Sequence, residues 1–137
     1  MKRKIMVFVW FALVAGFGLS CTTTNHEIKS VSLMQLILNP EKYHGELVRV
    51  IGVSRIEFEG DSVWFTKEHY YHWILNNALW IEPDYKALNL TRDQLEQFNG
   101  KYVLLEGIFN KDNHGHLGMY SGALEQVTRF QLWEKEE

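Results

Sequence analysis

Two strand-like segments, each with a glycine in its interior, constrain the fold of this chain most strongly. Residues 47–58 are rich in β-branched and other apolar side chains around Gly52, and residues 102–110 repeat that pattern around Gly107. A glycine inside a strand pattern marks a bulge or a sharp bend, because it packs no side chain and adopts unusual backbone angles. The sequence therefore predicts two long strands that each bend near the middle.

Two helices are predicted from their capping residues. The first begins at Ser32, which forms a capping box with Gln35, and it ends before Pro40. The second begins at Thr91, which forms the same kind of box with Gln94, and an Asn-Gly pair ends it. The first helix precedes the first glycine-containing strand and the second precedes the other, so the two halves of the chain echo each other.

Three further strands are predicted from short β-rich runs. Residues 63–66 form the second strand and residues 78–82 form the third, which a proline ends. Residues 123–133 form the fifth strand, after a loop rich in Gly and His at residues 111–122. With the two glycine-containing segments as the first and fourth strands, the chain is predicted to be mainly β. It carries one N-terminal helix and one helix between strands three and four.

This order of elements resembles the OB-fold, a five-stranded Greek-key barrel with a helix between its third and fourth strands. The resemblance covers roughly residues 45–133 and depends on element order and on the two bending glycines. A half-open SH3-like barrel is the alternative, and the second helix argues against it. More narrowly, the chain resembles small bacterial OB-fold proteins of the tRNA-anti-like type in residues 39–45 (NPEKYHG) and residues 120–122 (YSG). Several members of that group are periplasmic or lipidated.

The N-terminal segment has the composition of a secretory signal peptide. Residues 2–4 are basic, residues 5–19 carry no charge, and Ser20 precedes Cys21. A basic start, a short apolar stretch and small residues at the cleavage site are typical of such signals. The apolar stretch is shorter than the roughly 20 residues that a transmembrane helix needs. The sequence therefore predicts a signal peptide over residues 1–20.

Cys21 is the only cysteine, and it lies where the signal would be cut. This arrangement resembles the lipobox of bacterial lipoproteins, in which the cysteine sulfur carries diacylglycerol and the new amino group is acylated. Ser20 fits the lipobox, whereas Gly18 and Leu19 depart from it. Gly18 and Ser20 also fit an ordinary signal-peptidase site, which would leave a free thiol. The resemblance implies lipidation of Cys21, and plain secretion is the alternative.

A lipid on Cys21 implies that the protein is attached to a membrane of the cell envelope and faces the periplasm. Thr22, rather than an Asp, follows the cysteine, which resembles lipoproteins sorted to the outer membrane. Residues 21–30 are polar after the cysteine and are predicted to be a lipidated tether. Residues 31–137 are predicted to form a single OB-fold-like domain.

The charge of the mature chain bears on its partners. Removal of residues 1–20 takes three of the 14 basic residues and none of the 17 acidic residues, so the remaining domain is acidic. An acidic domain is a poor match for a nucleic-acid backbone, whose binding depends on neutralisation by Lys and Arg. Nucleic acid is therefore an unexpected partner. With one cysteine, no disulfide can form within the chain, so packing must supply its stability.

No group of residues predicts catalysis or a cofactor. The alternating carboxylates Glu57, Glu59 and Asp61 are compatible with a hydrolase, but the same spacing is typical of a solvated strand edge and turn. Ser121 lacks the flanking glycines of a nucleophile elbow. Lipidation would consume the one thiol, Cys21. The chain is therefore predicted not to be an enzyme.

Four histidines form the alternative functional hypothesis, a metal-binding lipoprotein. His69 and His72 would face together on a helical turn, and His114 and His116 would face together on an extended segment. If their two loops met, four imidazoles could hold zinc, copper or nickel. The spacing matches no zinc signature, so separate loop histidines are the simpler interpretation.

Aromatic side chains around strands two and three give the leading functional hypothesis. In OB-folds this face holds ligands, which often stack on aromatic rings. The alternative is that the rings fill the core, since side chains alternate across a strand. The sequence predicts a non-catalytic binding module for an envelope protein or a glycan. The candidate ligand-binding residues are Trp64, Tyr70, Tyr71, Trp73, Trp80 and Tyr120.

Overall fold

The computed structural model describes residues 27–133. The predicted signal peptide over residues 1–20 and Cys21 lie outside them. The strands are β1 (Lys29–Ser30), β2 (Leu47–Arg55), β3 (Ser62–Trp64), β4 (Ala78–Pro83), β5 (Tyr102–Asn110) and β6 (Ala123–Leu132). The α-helices are α1 (Leu33–Leu38), α2 (Pro40–Tyr43), α3 (Lys67–Tyr71), α4 (Tyr85–Leu88) and α5 (Arg92–Glu96), and single 3-10 turns span Leu75–Asn77 and His116–Gly118. No helix within residues 27–133 is long and apolar enough to cross a membrane.

Strands β2 to β6 form a closed five-stranded barrel, which confirms the predicted OB-fold-like class. They pair in the order β2-β3-β4-β6-β5, and β5 closes the barrel by pairing again with β2. The β4–β6 pair is parallel and the other barrel pairs are antiparallel. Helices α4 and α5 connect β4 to β5, at the position where the resemblance places one helix. The structure divides that connection between two short helices.

An additional strand, β1, lies beside the barrel. Lys29 and Ser30 pair in parallel with Val48 and Arg49 of β2, and the Val31 amide donates to the Arg49 carbonyl at 3.0 Å. The sequence predicted a tether over residues 21–30, and the structure places Lys29 and Ser30 of that segment in a strand. A two-residue strand is too short to produce a hydrophobic alternation, which is why the sequence does not predict it.

The two interior glycines stand where neighbouring strands approach closely. A Cβ on Gly52 would lie 2.6 Å from the Trp64 carbonyl oxygen, and one on Gly107 would lie 2.9 Å from the Glu125 carbonyl oxygen. The β5–β6 register shifts at Gly107, as the predicted bulge requires. Near Gly52, β2 changes partners, because Val53 pairs with both β3 and β5. The two glycines therefore allow β2 and β5 to bend where a neighbouring strand comes too close for a side chain.

Both predicted capping boxes are present. Ser32 and Gln35 cap α1, and Thr91 and Gln94 cap α5 through reciprocal side-chain and backbone hydrogen bonds. Each helix turns leucines into the interior, and those of α1 join the same buried cluster as Leu95 of α5. These helices therefore close the barrel with apolar side chains and leave its β3–β4 outer face for other segments to cover.

The core consists of two clusters on opposite sides of the β3–β4 sheet. Val63 and Leu79 belong to the large interior cluster, whereas Trp64 and Ala78 belong to a smaller cluster with Tyr120. Adjacent residues of a strand point to opposite faces, so the smaller cluster lies on the outer side of the barrel wall. This outer face is the one on which OB-folds hold their ligands.

Candidate functional site

Trp64 occupies the centre of the outer β3–β4 face and is fully buried, with 0% of its surface exposed. Its indole nitrogen donates to the Ser62 hydroxyl at 2.9 Å, and Ser62 in turn donates to the Gly60 carbonyl at 2.9 Å. A ring with no exposed surface cannot contact an external ligand. Trp64, a predicted ligand-binding residue, is therefore part of the core in this structure.

The segment that covers Trp64 is the β3–β4 connection. Thr66 caps α3 by accepting from the His69 amide, and the chain then turns back toward β4. Tyr70 and Trp73 place their rings edge-on against Trp64, with centroids 6.3 Å and 6.0 Å away. Edge-to-face contacts at this distance are favourable for aromatic pairs. The protein thus packs its own aromatic residues where OB-folds often stack a ligand.

Arg55 holds this covering segment in place. Its guanidinium carbon lies 3.9 Å from the Trp73 ring centroid and 4.1 Å from that of Tyr70, and the guanidinium donates to the Tyr70 carbonyl at 3.2 Å. Glu57 lies 3.4 Å away as the counter-charge. Arg55 is buried, so its cation–π contacts are stronger than exposed ones. The sequence hypothesis did not include Arg55, although an arginine at the end of an apolar strand was a detectable signal.

The β5–β6 loop covers the other half of the face. A Cβ on Gly115 would lie 2.6 Å from the Trp80 ring, so this loop can rest on Trp80 only with a glycine there. Tyr120 packs against Trp80 with ring centroids 5.6 Å apart, and its backbone carbonyl lies 2.8 Å from the His114 Nδ1 atom. Burial raises the pKa of Tyr120, and the charge of Glu57 adds to that rise.

Side-chain contacts join the loops that surround this covered face. Glu59 lies 3.4 Å from the His116 Nε2 atom, which links the β2–β3 turn to the β5–β6 loop. The Ser121 hydroxyl donates to the Asn76 carbonyl at 2.8 Å, which links the β5–β6 loop to the β3–β4 connection. We call residues 56–61, 67–77 and 111–122 together the loop face. The β5–β6 loop is thus linked by a side-chain contact to each of the other two segments.

The loop face exposes an unusual set of large apolar side chains. Phe58 is 86% exposed and Leu117 is 79% exposed, although both belong to residue types that normally lie in a core. The full set is Phe58, Tyr71, Trp73, Ile74, Leu117 and Met119. Contiguous exposed apolar side chains mark interaction sites more often than scattered ones do.

Backbone strain is concentrated on the same loops. Glu59, Trp73 and Leu117 have positive φ angles of 55°, and they are three of the five non-glycine residues with positive φ among residues 27–133. Such conformations are costly for residues with a Cβ, and in proteins they cluster at functional sites. Two of these strained residues, Trp73 and Leu117, also carry exposed apolar side chains.

The six residues predicted to bind ligand therefore lie together but differ in exposure. Tyr71 and Trp73 are exposed, Tyr70 and Trp80 are partly buried, and Trp64 and Tyr120 are buried. Sequence reasoning missed the exposed residues on the turn tips. Their only signal was an apolar side chain within a polar or glycine-containing turn. Phe58 lies between two glutamates, and Leu117 lies between His116 and Gly118.

Three of the four candidate metal ligands have separate side-chain contacts. His69 Nε2 faces the Asn77 amide at 3.3 Å, and His72 ends α3. His114 contacts a backbone carbonyl, and His116 contacts a carboxylate, as described above. Among residues 27–133 the structure shows no group of three or more His, Cys, Asp or Glu side chains placed to hold a metal ion. The expected meeting of His69, His72, His114 and His116 is not found there.

The alternating carboxylates also have separate partners. Glu57 pairs with Arg55 and Glu59 with His116, whereas Asp61 accepts two hydrogen bonds from Arg92 at 2.8 Å and 3.0 Å. The Asp61 hydrogen bonds raise the pKa of Arg92. These contacts tie α5 and the loops to the barrel. Each of the three carboxylates therefore has a structural partner.

Comparisons of the chain with protein-family models, curated proteins and solved structures found no match.

Proposed function

We propose that this chain is a lipid-anchored, non-catalytic binding module of the cell envelope, and that it engages a partner protein through its loop face. The exposed apolar side chains on three linked loops are the observation that carries this proposal. Burial of such side chains against a partner releases water from them and supplies most of the free energy of association.

The chemistry of the loop face favours a protein over a glycan. Phe58, Ile74, Leu117 and Met119 offer no hydrogen-bonding group, whereas sugars present hydroxyl groups that need polar partners when they are buried. Aromatic and Met side chains are enriched in the buried centres of protein interfaces. Trp73, which is 52% exposed, has the size and position of an anchor residue.

The β3–β4 face is covered by loops of the protein itself, which also supports binding of a partner on the outside of those loops. The groove that would hold an oligomeric ligand in an OB-fold is filled by Tyr70, Trp73 and the loop at Gly115. Binding in the groove would require both covers to move. Binding on the outside of those covers requires no rearrangement, so it avoids that free-energy cost.

The test is capture from intact envelopes after mild cross-linking, with the full chain carrying Phe58→Ser, Leu117→Ser or both. The expected result is a defined partner that the double variant loses by at least about tenfold, since each buried large apolar side chain contributes about 1.5–3 kcal/mol. Leu38→Ser is the matched control, because Leu38 is 71% exposed on α1 and lies outside the loop face. Equal loss in the control, or no loss in the double variant, would contradict the proposal.

The anchor is tested separately by metabolic labelling with tagged palmitate. Wild-type protein is expected to incorporate label and to fractionate with outer membranes, and Cys21→Ser is expected to remove the label. An unlabelled wild-type protein with a reactive Cys21 thiol would make this a secreted domain without an anchor. That outcome would leave the loop-face proposal intact.

A further inference from the structure

A second surface, none of whose lining residues belongs to the loop face, carries a groove with a charge at one side. The groove lies between β1, the start of α1 and the outer side of β2, and its volume is about 360 Å³. Its lining residues are Ser30, Val31, Ser32, Gln35, Arg49 and Ile51. Ligand sites commonly combine an apolar wall with a few well-placed polar groups. Val31 and Ile51 supply the wall here, and Arg49 supplies the charge.

The charge of Arg49 is only partly neutralised by the protein. Arg49 contacts the Glu106 Oε1 atom with Nε at 2.7 Å and Nη2 at 2.6 Å, and Arg129 reaches the same oxygen with Nη1 at 2.9 Å. The three residues align because Glu106 pairs with Arg49 across β2–β5 and with Arg129 across β5–β6. Two guanidinium groups thus share one carboxylate, which leaves one positive charge on the surface of an acidic chain.

Both guanidinium groups remain accessible to a ligand. The side chains of Arg49 and Arg129 are 36% and 39% exposed, while Glu106 lies almost fully buried between them. Arginine presents several donors in a planar fork and forms charge-assisted hydrogen bonds with phosphate or carboxylate oxygens. Ile51, on the same face of β2 as Arg49, is partly exposed beside this charge. A positively charged group and an apolar side chain therefore lie side by side on this surface.

We propose that this groove binds the headgroup region of an anionic phospholipid, with the phosphate at Arg49 and the apolar part against Val31 and Ile51. The surplus positive charge selects an anion, and the apolar wall selects an amphiphile over a free ion. A membrane is the source within reach, because Lys29 of β1 follows Cys21 by only eight positions. Eight residues span at most about 27 Å, so the proposed anchor would keep the groove near the lipid surface.

This choice of source rests on the proposed anchor, whereas the groove itself does not. The test is native mass spectrometry of the full chain released from non-ionic detergent, with phosphatidylglycerol or phosphatidylcholine added. One phosphatidylglycerol is expected to bind, with about tenfold preference over phosphatidylcholine. Both lipids carry the phosphate, but the choline cation of phosphatidylcholine would lie close to the surplus positive charge of Arg49 and Arg129 and be repelled by it. Inorganic phosphate is the third probe, and it is expected to bind far more weakly than phosphatidylglycerol.

Two substitutions have opposite expected effects. Arg49→Gln is expected to weaken phosphatidylglycerol binding by about tenfold or more. Glu106→Gln is expected to strengthen it several-fold, because it removes the negative charge that partly neutralises both guanidinium groups. A merely structural role for the ion pairs would weaken binding in both variants.

Ile51→Thr keeps the charges and is expected to reduce binding by removing part of the apolar wall. Lys86→Gln on α4 is the matched control, since it removes a positive charge outside the groove and should change nothing.

Several outcomes would overturn the proposal. Equal binding of the two lipids, unchanged binding in Arg49→Gln, or weaker binding in Glu106→Gln would each do so. Inorganic phosphate binding as tightly as phosphatidylglycerol would show a simple anion site. Melting curves identify any variant that fails to fold, and Ile51→Thr then tests the groove without altering the ion pairs. None of these substitutions lies on the loop face, so failure here leaves the partner-capture result unaffected.

Discussion

Replacement of Trp64 by alanine distinguishes a core tryptophan from a ligand platform. Trp64 has no exposed surface, and its ring packs against the edges of Tyr70 and Trp73 beneath the β3–β4 connection. Alanine would leave a cavity that the surrounding barrel wall can fill only in part. The expected effect of Trp64→Ala is therefore on the free energy of unfolding.

The magnitude follows from what the ring contributes. Truncation of a buried Trp to Ala costs about 3–5 kcal/mol, which includes both the lost burial and the cavity. The hydrogen bond from the indole to Ser62 adds little, because Ser62 keeps its own bond to the Gly60 carbonyl. We expect a loss of about 4 kcal/mol, a large fraction of the 5–15 kcal/mol typical of a folded domain. Trp64→Phe should lose about 1–2 kcal/mol.

The assay is urea denaturation of the full chain followed by far-UV circular dichroism, with linear extrapolation to water. Trp133→Ala is the matched control, because Trp133 lies half-exposed just after β6. Its effect is expected to stay within about 0.5 kcal/mol. A Trp64→Ala protein that loses less than about 1.5 kcal/mol would refute the burial of this ring, since core truncations of this size cost more.

Three further predictions concern the barrel. Gly52→Ala should lower stability by about 2 kcal/mol, because its Cβ would lie 2.6 Å from the Trp64 carbonyl, and a thermal melt close to wild type would contradict this. Ser54→Ala should be neutral or stabilising by up to about 1 kcal/mol in urea, since the buried hydroxyl has no hydrogen-bond partner among residues 27–133, and a clear loss would reveal a partner. Burial raises the pKa of Tyr120 above its ordinary value of 10.0. The stability that the neutral Tyr120 side chain contributes to the fold is therefore complete below pH 10.0 and is lost as the pH rises through the folded-state pKa. Tyr120→Phe should therefore flatten the fall in Tm at alkaline pH, and identical profiles would disprove the burial effect.

Local patterns were enough to predict most of the barrel. The predicted fourth strand, residues 102–110, has the bounds of β5, and both capping boxes lie where the sequence placed them. Alternation, caps and interior glycines act over a few residues, so they can be recognised without knowledge of the fold. The second and third strands were also correct to within two residues, because Pro83 and the turn before Ser62 limit them.

The candidate site was only half predictable. The sequence identified the aromatic region around β3 and β4, but it could not separate Trp64 from Tyr71, which are alike in hydrophobicity and differ completely in exposure. It also missed Arg55, whose aromatic neighbours come from a segment more than ten positions later in the chain. The alignment of Arg49, Glu106 and Arg129 depends on the register of three strands, which no local pattern specifies.

The sequence by itself determined the elements of this protein: the strands, the capped helices, the two bending glycines and a single cysteine beside a signal-like segment. Only the tertiary structure decided which aromatic residues face water, because exposure depends on whether another segment folds over a side chain. The β3–β4 connection and the β5–β6 loop fold over Trp64, Trp80 and Tyr120, and the same loops hold Phe58 and Leu117 outward. The proposed binding surface is therefore a product of contacts between distant segments.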